Sequence, residues 1–147
     1  MEIKKQKYRY IEWLSAEEMH GASKKWMSEL SFIKDEQLFL NDLVKSYTLQ
    51  LIDSEVFNKS QKIIDRISKA ESEVITLMKR VQSHENLLEI MVNDVDELKM
   101  EKAYLETHWE LTDKIERYMV DYRNLKVALF KVISRLMKKD KQKRLLN

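Results

Sequence analysis

The sequence predicts an all-α protein, an antiparallel three-helix bundle of long helices, and three observations carry that expectation. The chain of 147 residues holds one glycine and no proline. Tight turns need residues that reach positive φ or hold φ fixed, so few turns are possible and hairpin-rich sheets are disfavoured. Hydrophobic residues make up 44% and charged residues 35%, a balance that suits amphipathic helices and leaves ample Leu, Ile, Val and Met to bury. Finally, residues 56 to 98 carry a sustained heptad seam: Val56, Ser60, Ile63, Ile67, Ala70, Val74, Leu77, Val81, His84, Leu88, Met91, Val95 and Leu98. Steps of three and four residues return to one helix face.

The elements follow in order within a single domain, residues 1–147. Residues 1–14 form a basic and aromatic leader, with Lys4, Lys5, Lys7 and Arg9 followed by Tyr8, Tyr10, Ile11 and Trp13. The first helix is expected over about 16–52. Ser15 and Glu18 have capping-box spacing, and Leu14 and Met19 occupy the two positions of a hydrophobic staple. Its seam runs Met19, Ser23, Trp26, Leu30, Ile33, Gln37, Leu40, Val44, Tyr47 and Leu51, widened by Met27, Phe39 and Leu43. That width calls for more than one neighbour. Gly21 falls inside this helix, where it costs about 1 kcal/mol relative to alanine.

Asp53 and Ser54 are the next caps, and the second helix covers about 55–92. Asp94 and Glu97 repeat the cap-to-N3 spacing and open a third helix over about 95–139. The stripe of that helix is Leu98, Leu105, His108, Leu111, Ile115, Tyr118, Tyr122, Leu125, Leu129, Val132 and Leu136. Residues 140–147 are read as a basic tail whose cations suit a helix C-terminus. The alternative architecture is an elongated dimeric coiled coil. If nothing breaks the chain at Asn93–Asp94, residues 55–139 make one helix of ~125 Å that must pair with another chain.

Composition narrows function chiefly by exclusion. With no cysteine, disulfides, thiolate ligands and cysteine nucleophiles are absent. One glycine rules out Gly-rich phosphate loops and nucleophile elbows. The net charge is +2 from 27 basic and 25 acidic side chains of mixed order, which argues against a nucleic-acid partner. No apolar run reaches the ~20 residues of a membrane span, and the basic leader lacks the apolar segment of a secretory signal. The expected setting is the cytoplasm.

The histidines supply the one candidate site. Folding about Asp53–Ser54 and Asn93–Asp94 sets His84 opposite about residue 23 of the first helix and about residue 104 of the third, within a turn of His20 and His108. Glu17 precedes His20 by three residues, a spacing that puts carboxylate and imidazole on one helix face. Two readings follow. His20, His84, His108 and Glu17 could form a metal site for Zn, Fe or Mn. Ferritin-like sites carry a second Glu-x-x-His pair, and Val81 and Leu105 stand where it would have to begin. The leading reading is a satisfied polar layer that fixes register, with Ser23 and Glu17 as partners and with scope for pH sensitivity. Gln37 is expected to face Ala70 as a second register device. No cofactor is expected. The function expected is non-enzymatic, in protein–protein interaction or scaffolding. Phe32, Phe39, Leu43 and Phe130 lie near the stripe edges and favour a protein partner or self-association.

Overall fold

The computed structural model describes residues 14–52, 57–93 and 98–146. Among them it is all-α, with helices α1 (Ala16–Ser46), α2 (Thr48–Ile52), α3 (Phe57–Asn93) and α4 (Leu98–Leu146) and no strand. The leader over residues 1–13, the Asp53–Ser54 cap and the Asp94/Glu97 cap lie outside the described residues.

The start of α1 follows its sequence signal. Ser15 sits in extended conformation, and its hydroxyl accepts from the Glu18 N–H at 3.1 Å. Leu14 packs with buried Ala16, Met19 and Leu88, so the staple also closes the helix end onto α3. Gly21 keeps helical φ, and a Cβ placed there would meet nothing within 4 Å. It serves no close approach.

The expected single helix over 16–52 is interrupted at Tyr47, whose φ of −112° and ψ of 14° leave the helix for one residue. The flanking hydroxyls explain the break. Ser46 donates to the Asp42 carbonyl at 2.9 Å and Thr48 to the Val44 carbonyl at 3.0 Å, and such back-bonding competes with the helical ladder. The chain resumes at once, with Leu51 N–H bonded to the Tyr47 carbonyl, and buried Leu51 joins the core.

α3 buries every described side chain of its seam from Ser60 to Leu88, His84 included. It lies between its neighbours. Its backbone approaches those of α1 and α4 closely, whereas α1 and α4 draw near each other at few points. Pairings fix the levels: His20 meets Glu85 and Asn41 meets Glu71, while Tyr118 meets Ala70 and His84 meets His108. His84 and His108 touch although 24 residues apart, a separation that spans ~36 Å along one continuous helix. The single ~125 Å helix of the coiled-coil alternative is therefore not the conformation adopted.

One boundary and one burial differ from expectation. α4 continues to Leu146 rather than ending near Lys139, because no Gly or Pro stops it, Lys and Arg are good helix formers, and cations in the last turn complement the macrodipole. Phe39, expected to widen the α1 seam toward a neighbour, is 59% exposed.

Candidate functional site

α3 and α4 bring two of the three histidines together. His84 Nε2 lies 3.1 Å from His108 Nδ1, and both residues are 2% exposed. The Trp26 ring of α1 stacks on His108 at 4.6 Å between centroids, and Tyr104 lies tilted against His84. Burial pushes both imidazoles down to about 4, and for His108 the neighbouring His84 adds to the effect. Both are therefore neutral at pH 7, as a hydrogen bond between two imidazoles demands of at least its acceptor. His84 Nδ1 has no hydrogen-bond partner. We assign the proton to His84 Nε2, because this leaves an unused lone pair in the core instead of the costlier orphaned N–H. The outer side of His84 borders a cleft of about 350 Å³ between α3 and α4, with Lys79, Arg80 and Lys114 along it.

The other expected members stand apart. His20 is half-buried, with its Nε2 3.8 Å from Glu85 Oε1 and without a hydrogen-bond partner. Ser23 is fully buried, yet its hydroxyl donates to the His20 carbonyl of its own helix. Glu17 is exposed on the first turn of α1. Neither Ser23 nor Glu17 satisfies the imidazoles, so the layer is only partly satisfied, contrary to expectation. Among the described residues no group of three or more His, Asp or Glu side chains is placed to hold a metal ion.

The Gln37 level is better paired. Gln37 Nε2 donates to the Tyr118 hydroxyl at 3.0 Å, and that hydroxyl donates to the Ala70 carbonyl at 2.8 Å. One phenol thus ties three helices, with the amide at the expected level. Burial pushes the Tyr118 hydroxyl up to about 12 despite the Gln37 bond, which keeps it a donor at any ordinary pH.

One turn away is a feature that the sequence reading missed. Glu36 accepts from the Tyr122 hydroxyl at 2.7 Å and from Lys126 Nζ at 2.9 Å. Burial raises the Glu36 pKa, but the bonds from Lys126 and Tyr122 outweigh it and hold the carboxyl below its ordinary value. Tyr122 is shifted upward, first by burial and then by Glu36. No local spacing in the sequence announces this bridge, since the partners of Glu36 lie 86 and 90 residues away.

This pair marks where α1 and α4 meet, and large apolar side chains surround it in the open. Phe32 stands four residues before Glu36, Phe39 three after it, and Phe130 four after Lys126, each on the turn next to the bridge. They are 65%, 59% and 43% exposed. Val127 beside Lys126 is also exposed. Leu43, expected beside these phenylalanines at the stripe edge, instead packs partly buried against the core. Among the described residues no helix is long and apolar enough to cross a membrane. Comparison with known proteins matches the chain to no family model, no curated protein and no solved structure.

Proposed function

We propose that the protein is an antiparallel three-helix bundle that acts without catalysis, in protein–protein interaction or scaffolding, through the face shared by α1 and α4. The observation that carries this reading is the exposure of Phe32, Phe39 and Phe130 around the Glu36–Lys126 bridge. A fully covered core does not need three aromatic rings in water, and grouped exposure of this kind marks contact surfaces. The buried histidines, Gln37 and Tyr118 act in support, holding the helices in the register that creates the face.

The test is site-specific photo-crosslinking in cells that make the protein. A photoreactive residue replacing Phe39 is expected to give discrete protein adducts, and one replacing exposed Ser68 on α3 is expected to give few. Equal labelling at both positions would remove the reading.

The alternative is a small metal-binding bundle using His20, His84, His108 and Glu17 with Zn, Fe or Mn. One observation favours it: 3.1 Å is close to the separation of two nitrogens that ligate one ion at ~2.0–2.1 Å each. Two ligands make a weak site. The interaction reading rests on more of the surface.

A further inference from the structure

We infer that the partner of the α1/α4 face is a second copy of this chain, docked about a two-fold axis so that α1 of each copy lies against α4 of the other. This deepens the interaction reading and rests on it. The argument comes from the charges that border the exposed rings. On α1, Asp35 lies three residues after Phe32 and four before Phe39, and Asp42 lies three after Phe39. These spacings set both carboxylates along the phenylalanine stripe. On α4, Arg123 lies four residues before Val127 and seven before Phe130, and Lys131 lies four after Val127. All four charged residues are exposed, and among the described residues no ion pair within the chain engages them. One flank of the face is acidic and the other basic.

That asymmetry selects both the occupant and its orientation. A two-fold axis running along the helices carries α1 of one copy over α4 of the other, on both sides at once. Acid then meets base twice, while Phe32, Phe39 and Phe130 of the two copies close on each other away from water. An axis across the helices would set α1 on α1 and Asp35 and Asp42 on their own copies, which like-charge repulsion disfavours. Levels agree as well. Trp26 meets His108 and Glu36 meets Tyr122 within one chain, so α1 and α4 run in the same direction. In the parallel dimer Asp35 and Asp42 then stand within about a turn of the level of Arg123 of the second copy.

The experiment is sedimentation equilibrium of the full chain and of two charge variants, Asp35→Lys/Asp42→Lys and Arg123→Glu/Lys131→Glu, with circular dichroism confirming helicity. The wild-type chain is expected to dimerise. Each variant alone is expected to shift at least tenfold toward monomer at low salt, and an equimolar mixture of the two to form a heterodimer that weakens as salt rises. A wild-type chain that is monomeric throughout the micromolar range would overturn the inference. So would a dimer indifferent to both variants and to Phe39→Asp. Should a charge variant fail to fold, the photoreactive residue at position 39 in the otherwise unchanged chain decides. An adduct of twice the chain mass supports self-docking. An adduct of any other mass overturns it while leaving the interaction reading in place, and labelling no stronger than at Ser68 removes both.

Discussion

His84 Nε2 and His108 Nδ1 share one hydrogen bond of 3.1 Å in a site where each residue is 2% exposed. Two neutral imidazoles can make that bond. Two imidazolium rings cannot, since each then carries only donors.

Acid should therefore loosen the helices at this level. In the unfolded chain the imidazoles take up protons near pH 6.5, whereas in the folded chain burial holds both near 4. Between these values the unfolded state binds more protons, so stability is complete above about 6.5 and falls as pH drops through about 4. The loss is a few kcal/mol, bounded by ~3 kcal/mol per histidine. Urea midpoints measured at pH 7.5, 5.5 and 4.5 should fall in that order. A flat profile, or one unchanged in the His84→Leu/His108→Leu variant, would show that the pair does not govern acid stability.

Removing one imidazole should cost more than its share. His84→Ala opens a cavity and strands His108 Nδ1 in the core, at a cost of about 2–4 kcal/mol. His84→Leu/His108→Leu removes both polar rings and refills the space, so it should cost less than the two single leucine substitutions added together. Strict additivity in chemical denaturation would mean that the two rings are not coupled.

The Tyr118 hydroxyl gives a cleaner test of register. Tyr118→Phe leaves the buried Gln37 amide without its acceptor, with an expected loss of about 1–3 kcal/mol. Adding Gln37→Leu should return part of that loss, since the orphaned donor goes with it. If Tyr118→Phe alone is neutral, the Gln37–Tyr118–Ala70 chain contributes nothing to stability.

Gly21→Ala should stabilise the protein by up to about 1 kcal/mol, visible as a higher denaturation midpoint. The site is helical, exposed and open around an added Cβ, so only the backbone entropy of glycine is removed. A lower midpoint would point to a role for Gly21 beyond helix propensity.

Metal gives a direct discrimination between the two functional readings. Zn²⁺ added in calorimetric titration should bind no more tightly to the unchanged chain than to His84→Ala, if the pair is only a register device. Stoichiometric submicromolar binding that His84→Ala abolishes would instead favour the metal-binding alternative.

Periodicity made the buried faces legible, because burial on a helix recurs every three to four residues whatever the fold around it. Among the described residues the α3 seam is buried from Ser60 to Leu88 and the α4 stripe from His108 to Leu136. The levels of His84 against His108 and of Gln37 against Ala70 also followed, since short connections leave little freedom in register. Side-chain partners did not follow. Ser23 turned to its own helix and Glu17 to solvent, choices set by rotamers that spacing does not encode. Glu36 was invisible as a bridging residue because its partners belong to a helix that begins some sixty residues later. The break at Tyr47 was carried by two hydroxyls, a cue weaker than any Gly or Pro.

The placing of α3 between its neighbours has a kinetic consequence. Its close backbone approaches are to the long helices nearest it in the chain, while α1 and α4, the most distant in sequence, are joined mainly through long side chains such as Glu36, Tyr122 and Lys126. Loop-closure entropy is then spent in two small steps instead of one large one. The chain can collapse as either hairpin, α1 with α3 or α3 with α4, before the third helix arrives. Refolding should be fast, and substitutions in the α3 seam should slow it more than substitutions at the α1/α4 bridge, which should mainly hasten unfolding.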